Sequence, residues 1–591
     1  MRITKYIIPA LGATLLLAAS CQKDEGVGIK TKADGTTSFN DYGIPTDDDD
    51  YGSISSWNSH MYWNLANVHD PSIAWYNGYY YMFGTDASYG NEHEKAAIGK
   101  HFQGKRSRDL VSWTHIYGPM NEAPAWVTDS LNSIRGRMNL PAIETPNYGY
   151  WAPVIRVVNV NGVPTMRMYY SIIVDNYIKT GKASTEANFD GSWTERAFIG
   201  VCESTNPSDC DSWVDKGFVV CSSSDKARDS YGRASWDGDY GSAYFRFNAI
   251  DPTYIVDKDG KHWLIYGSWH SGFAQLEINP ATGLPVNAYD ENGKFKGLGD
   301  PWGNNPNYGT RIATRVASGS WARWQGSEAP EIVYKDGWYY LFMAYDGLDI
   351  PYNTRVCRSQ SINGPFVDLK GTDLTQVGGD AYPIVTHPYK FSKGYGWVGI
   401  SHCCVFQQEG SGDWFYCSQG RLPVGVNGNA SSNALMTGHV RRIVWAPATA
   451  DTPDDLWPIS LPERYAGLSR KAVSESEIAG TWEHIHLYYT RPDSSLPATD
   501  LQNAQMRTSK EWEFKADKTF TGYNKAGAAI SGTWSFDAGK QFLTITPAGG
   551  TAVIVVVAHE ADWEASPRVE TVVFAGIDKA NDATLWGKKI Q

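Results

Sequence analysis

Cysteine is scarce, eight in 591 residues, and none stands in the paired C-x-x-C spacing that marks structural zinc. Basic residues are outnumbered, 52 Lys and Arg against 64 Asp and Glu, giving a formal net charge of −12. That balance excludes nucleic acid or an anionic lipid surface as the partner, because either calls for a basic face; it suits a neutral polysaccharide. No glycine-rich nucleotide loop and no serine-hydrolase elbow occurs. Long apolar runs are missing too, since the one candidate, residues 6–19, is too short to span a bilayer as a stable helix. Cys202, Cys210 and Cys221 are close enough in sequence for one loop disulfide. Apart from Cys21 the cysteine count is odd, so at least one thiol stays free.

The N-terminus gives an address. Met1-Arg2 and Lys5 precede the apolar run, and Ser20-Cys21 follows it, the pattern of a bacterial lipoprotein signal. Cleavage before Cys21 would leave a lipidated cysteine anchoring an otherwise soluble protein. Lys23-Asp24-Glu25 resembles the export signal of Bacteroidetes-type surface lipoproteins. Residues 22–50, ending in four aspartates, read as a flexible tether. The expected location is the cell envelope, lipid-anchored at the outer-membrane surface.

What the chain has in quantity is a phrase repeated five times: a polar head, usually a proline, a short apolar strand, a tight turn and an aromatic-rich strand. The heads are Asp70, Trp151, Asp251, Glu328 and His402, separated by 81, 100, 77 and 74 residues. Four units turn at Asn77-Gly78, Asn161-Gly162, Asp259-Gly260 and Asp336-Gly337, dipeptides that tolerate the positive φ of tight hairpin turns. The spacing leaves room for a four-stranded sheet per unit. Repeated sheets of this kind close most economically into a ring that exposes few strand edges. The expected fold is all-β, a five-bladed propeller over residues 51–470. If each phrase begins with the innermost strand of its blade, all five heads meet at one end of the central channel. A lone Asp-Pro is a common turn initiator, but three carboxylates recurring at the heads ask for a chemical explanation.

These stretches resemble family 43 glycoside hydrolases. The matching motifs are His69-Asp70-Pro71-Ser72-Ile73, Ile250-Asp251-Pro252-Thr253 with Tyr266-Gly267-Ser268, and Ser327-Glu328-Ala329-Pro330-Glu331-Ile332. Ser107-Arg108-Asp109-Leu110-Val111-Ser112-Trp113 supports them, and the likeness spans residues 57–468. The family usually has Gly after its catalytic glutamate where this chain has Ala329, which makes Glu331 a competing candidate for the acid.

The resemblance implies an inverting glycosidase acting on arabinose- or xylose-containing plant polysaccharide, with Asp70 as general base, Glu328 as general acid and Asp251 orienting Glu328 and raising its pKa. Inversion needs the two carboxyl groups roughly 6.5–9.5 Å apart so that water fits between them. The resemblance also implies a metal ion, generally Ca2+, on the propeller axis, with His402 as its imidazole ligand and water around it. Trp151 offers a flat apolar platform for a sugar ring, although packing is the ordinary role of a tryptophan. His270 stands where it could reach substrate or cap a strand.

From about residue 478 the alternation changes, with strand patterns in Trp512-Glu513-Phe514, Gly532-Thr533-Trp534-Ser535-Phe536 and Leu543-Thr544-Ile545. A second, small antiparallel β domain, barrel-like, is expected over 478–591, either packing on a propeller edge or binding glycan. Its position resembles the C-terminal domain of the larger endo-acting arabinanases, which favours cleavage of α-1,5-linked arabinan. The alternatives are an exo-acting arabinofuranosidase or β-xylosidase, and a non-catalytic glycan-binding propeller.

Overall fold

The aromatic-rich strands pair with their neighbours in sequence order. The structure, a computed structural model, describes residues 54–86, 100–137, 141–175, 194–222, 247–289, 296, 306–315, 325–426 and 436–590. Cys21, the apolar stretch before it and the tether lie outside these residues. Blade 1 consists of Ser72–Tyr76, Tyr79–Phe83, Gly104–Ser107 and Thr114–Ile116, and blade 2 of Tyr148–Val160, Val163–Asp175, Thr194–Ser204 and Val214–Cys221. Blade 3 contains Thr253–Val256, His262–Tyr266, Phe273–Ile278 and Thr310–Ala313. Blade 4 contains Ser327–Lys335, Trp338–Tyr345, Asn353–Ser359 and Ile384–Thr386, and blade 5 contains Cys404–Gln407, Trp414–Gly420, Thr437–Thr449 and Thr452–Ser460. The first strand of each blade neighbours the first strand of the next, and that of blade 5 returns to blade 1. The ring is therefore a closed five-bladed propeller.

Turn chemistry explains the hairpins. Asn77-Gly78, Asn161-Gly162 and Asp336-Gly337 all have positive φ at both residues, the geometry whose twist matches two antiparallel strands. Asp259-Gly260 belongs to a longer turn, where the Asp257 carboxylate accepts the N–H groups of Asp259 and Lys261, both at 2.9 Å. Strands such as Trp338–Tyr345 are buried on both faces between neighbouring blades. They therefore read as continuous apolar runs instead of alternating ones. The segment before blade 1 helps to shut the ring: Val68 N–H donates to Met436 O at 3.3 Å, and Gly438 N–H to Leu65 O at 2.8 Å.

The second unit is a closed eight-stranded barrel beginning at Gly480–Tyr488 and ending at Ala583–Lys589. Aromatic rings lying on glycines fill its bore. A Cβ at Gly522 would come within 2.5 Å of the Trp512 ring, one at Gly532 within 2.6 Å of Phe520, and one at Gly587 within 2.1 Å of Phe574. The outer face packs on the propeller, where Ile485, Leu487, Val573 and Trp586 share one core with Phe342, Tyr416, Trp457 and Ile459. Trp586 Nε1 donates to Ser460 O at 2.8 Å, and Thr584 Oγ1 to Ile384 O at 2.6 Å. Lys588 Nζ lies 3.0 Å from Glu463, 2.8 Å from Asp562 and against Glu564. The packing role of this domain is therefore visible in the fold.

The expected loop disulfide is not formed. Cys202, Cys210 and Cys221 are free thiols, because the register sets Cys202 opposite Asp215 and Cys221 opposite Phe198.

Candidate active site

Each blade enters its first strand through one left-handed residue. These are Asp70, Ala152, Asp251, Ala329 and His402, with φ between 40° and 55°, and four of them precede proline. The repeat is thus offset by one residue from the five heads read in sequence. In blades 1, 3 and 5 the head itself is left-handed; in blades 2 and 4 it is the residue after Trp151 and after Glu328. Both of those strands also carry a register shift at this point, between Trp151 and Val154 and between Glu328 and Glu331. Such bulges re-aim a side chain near a strand end. Ala329 therefore occupies a backbone conformation that glycine adopts without strain.

Asp70 is buried and held by donors on several sides. Thr85 Oγ1 donates to Oδ2 at 2.6 Å, His402 Nδ1 lies 2.8 Å from Oδ1, and His69 Nε2 lies 3.4 Å from the same oxygen. Its own N–H is fixed by Gln419 Oε1 at 2.8 Å. Burial pushes the carboxyl pKa up, but the charges of His402 and His69 and the hydrogen bonds from His402 and Thr85 outweigh it. Asp70 is held ionised, well below the usual carboxylate range. His402 moves the other way: burial pulls it down, while Asp70 and Asp251 raise it to about 9. Burial lowers His69 to about 4 against the pull of Asp70, with Arg421 and His402 adding to the fall.

Glu328 is clamped by both oxygens. Tyr352 Oη donates to Oε1 at 2.5 Å and Ser268 Oγ to Oε2 at 2.9 Å. Its pKa is raised, by burial first, with Tyr352, His402 and Ser268 opposing and Asp70 adding to the rise. Asp251 is pushed up to about 8, by burial, then by Glu328 and Asp70 against His402. Asp251 Oδ2 accepts the Ala329 N–H at 3.3 Å, so it supports the backbone beside Glu328 while Tyr352 and Ser268 hold the carboxyl. Asp70, Asp251, Glu328 and His402 form one electrostatic cluster.

Glu331 is committed elsewhere. Its Oε1 receives Arg156 Nη2 at 2.6 Å and the Val405 N–H at 3.0 Å, and its Oε2 receives Thr253 Oγ1 at 2.6 Å. This carboxylate ties blades 2, 3 and 5 to blade 4.

Trp151 is half-buried against the core shared by blades 1, 2 and 3. It joins the ring of heads through its neighbour, since Ala152 N–H donates to Thr85 Oγ1 at 2.6 Å. His270 is 5% exposed, enclosed in the loop 267–272 with its N–H on Ser268 O at 2.7 Å. Sequence reading missed Thr85, Ser268, Tyr352 and Arg421 as individual residues. Thr85 lies two residues past the second strand of the first phrase, and Ser268 ends the motif Tyr266-Gly267-Ser268. Tyr352 and Arg421 carried no local signal. Arg421 is buried, with the carboxylates Asp349 and Asp70 and the Tyr352 phenol around it.

The calcium expected at His402 can be tested on its donor set. With Nδ1 against Asp70, the nitrogen left to meet a cation is Nε2, and a carboxylate orienting an imidazole in this way is the common arrangement for a metal-ligating histidine. Among the described residues, the side-chain trios whose ligand atoms converge are Asp209, Cys210 and Asp211, and Glu463, Asp562 and Glu564. Neither trio includes His402, so a cation there would take its oxygen ligands largely from water. Nε2 can serve such a site as its one imidazole ligand once it gives up the proton that Asp70 and Asp251 favour.

Comparison with known proteins follows the same division of the chain. Residues 65–447 match the model for glycosyl hydrolases family 43, and residues 462–587 match a C-terminal lipocalin-like domain. The extracellular endo-α-(1→5)-L-arabinanase 2 of Bacillus subtilis (strain 168) is 24% identical over 89% of this chain and 93% of its own length. The extracellular endo-α-(1→5)-L-arabinanase of Thermotoga petrophila is 25% identical over 89% of this chain and 94% of its own. A crystal structure of the endo-1,5-α-L-arabinanase from Thermotoga petrophila RKU-1 aligns with a TM-score of 0.60 at 23% identity, covering 89% of this chain and 99% of that one, which shows the shared fold.

Proposed function

The chain belongs to glycosyl hydrolase family 43, and from that premise we propose that this glycoside hydrolase cleaves α-1,5-linked L-arabinofuranosyl bonds of arabinan internally and with inversion. One observation carries the chemistry: a carboxylate surrounded by hydrogen-bond donors and held ionised, Asp70, stands in one electrostatic cluster with a buried carboxyl whose pKa burial raises, Glu328. An ionised and a protonated carboxyl are the two partners that inverting hydrolysis requires. In this reading Asp70 takes a proton from water as the water oxygen bonds to the anomeric carbon. The bond to the departing oxygen breaks with its electron pair on that oxygen, which receives the proton of Glu328. Asp251 keeps the Glu328 backbone in place. Glu331 is left out, because all of its oxygen contacts serve the fold.

The arabinan assignment draws its support from the relatives, which match over about nine-tenths of both chains. Calcium on His402 Nε2 is part of the same proposal; when bound it would supply fixed positive charge beside Asp70. Trp151 would give the sugar an apolar platform. Lipidation at Cys21 would hold the enzyme on the outer-membrane surface, and replacing Cys21 with Ala should release it from membranes; continued retention would count against an anchor.

The test is a product profile. Protein lacking residues 1–21 is incubated with linear arabinan, branched arabinan and xylan, and the released sugars are separated over time. A ladder of arabino-oligosaccharides from linear arabinan supports the reading. Arabinose or xylose alone moves the chain to an exo-acting role, and no release from any polymer leaves a glycan-binding propeller. Proton NMR of the first product gives the anomer, and retention would overturn the two-carboxyl scheme.

A further inference from the structure

We propose that Tyr352 is a positioning residue for the acid, and that together with Ser268 it decides which oxygen of Glu328 carries the transferable proton. The inference rests on the reading of Glu328 as the acid and deepens it.

Tyr352 lies between the second and third strands of blade 4, fully buried against Ala329 and Ala344. Its hydroxyl donates to Glu328 Oε1 at 2.5 Å. The phenol stays protonated at any working pH, because burial and the carboxylates Glu328, Asp70 and Asp251 all oppose its ionisation. A carboxylic acid has one carbonyl-like oxygen and one hydroxyl. The oxygen that accepts a short hydrogen bond from the phenol takes the carbonyl role, so the proton sits on Oε2. There the partner is the Ser268 hydroxyl at 2.9 Å, which can accept from an acid or donate to a carboxylate by turning about its C–O bond.

The consequence for catalysis is directional. As the Oε2–H bond breaks and the proton bonds to the departing oxygen, Glu328 becomes a carboxylate with a donor at each oxygen. Hydrogen bonds to a charged acceptor are stronger than those to a neutral one, so the Tyr352 contact tightens as the transition state forms. Other charges face Glu328 from around the ring: Asp70 on blade 1, Asp251 on blade 3 and His402 on blade 5. Tyr352 is the neighbour that contacts Oε1, and removing its hydroxyl leaves those charges in place.

The experiment compares Tyr352→Phe and Ser268→Ala with the parent, each checked for an unchanged melting temperature. On the natural linkage Y352F should lose roughly ten-fold or more in kcat with little change in KM. The basic limb of its pH profile should move up by about one unit, because the ionised form of Glu328 has lost a donor. Aryl glycosides whose phenolate departs without a proton should lose much less. A loss that is uniform across leaving groups, with the basic limb unmoved, would overturn the proposal. Infrared titration of the protonated carboxyl band that disappears in Glu328→Gln gives a second reading without substrate. Its midpoint should be higher in Y352F than in the parent, and an unchanged midpoint refutes the assignment. An enzyme inert on arabinan would remove the substrate reading alone, since the infrared midpoint still decides the hydrogen bond.

Discussion

Glu328 and Glu331 stand three residues apart on one strand, and replacing each with glutamine should separate chemistry from fold. In Glu328→Gln the amide oxygen can still accept from Tyr352, the amide nitrogen meets a Ser268 hydroxyl free to turn, and the neutral amide suits a site where burial already disfavours the charged carboxylate. Stability should change by less than about 0.5 kcal/mol, as for a substitution that leaves no buried partner unsatisfied. Activity should fall by about 10²- to 10⁴-fold, the usual contribution of a general acid. Glu331→Gln takes the negative charge from Arg156, a side chain 21% exposed, and turns an acceptor facing Thr253 into a donor. Breaking a buried ion pair from one side costs about 3–5 kcal/mol; the partial exposure of Arg156 and the oxygen that glutamine retains reduce this to about 2–3 kcal/mol. With an unfolding entropy of about 2 cal/mol/K per residue over a propeller of roughly 400 residues, that corresponds to a Tm lower by about 3 °C. Calorimetry and reducing-sugar release on the same two preparations give the result. An inactive E331Q with unchanged Tm, beside an active E328Q, would exchange the roles assigned to the two glutamates.

Other consequences can be measured separately. Ala329→Gly relieves a left-handed alanine at φ 53° and should stabilise the protein by up to about 1 kcal/mol, read as a small rise in Tm. Glu463, raised to about 8 by burial and by Glu564 and Asp562 against Lys588, binds a proton in the folded protein over a range where the unfolded chain has lost it. Stability should therefore fall as pH rises from about 5 through 8, and Glu463→Gln should flatten that slope in Tm measured against pH; an unaltered slope would show that Glu463 ionises normally. Exhaustive chelation followed by Ca2+ should lower and then restore activity or Tm if His402 holds the ion, and no change in either would rule it out.

The ring of blades was legible because its signals are local: Asn-Gly and Asp-Gly turns, proline after the head, and aromatic runs set by burial on both strand faces. The barrel showed itself through the same alternation, but its filled bore did not, since which glycine faces which aromatic depends on the register between neighbouring strands. In the site, Asp70, Asp251, Glu328 and His402 announced themselves as heads. The choice between Glu328 and Glu331 needed the structure, because both lie in one motif and only the partners from blades 2, 3 and 5 reveal that Glu331 is occupied. Tyr352 and Arg421 were invisible for a related reason. Each sits in a loop without pattern and acquires meaning from a residue far away in the chain. The cysteine reading failed because closeness in sequence says nothing of register across two strands.

The one-residue offset between blades has an effect beyond topology. Five left-handed positions, one at the entry to each blade's first strand, are occupied by Asp, Ala, Asp, Ala and His. Two of these berths carry only a methyl group, and Glu328 projects from the step above its berth, about one strand rise, roughly 3.3 Å, along the chain. Base and acid therefore leave the backbone at different points of the repeat, Asp70 at the left-handed residue and Glu328 one residue before it. The room a water molecule needs between them depends on that offset, so a single inserted or deleted residue at the mouth of blade 4 would exchange the residue that presents the acid while leaving every blade intact.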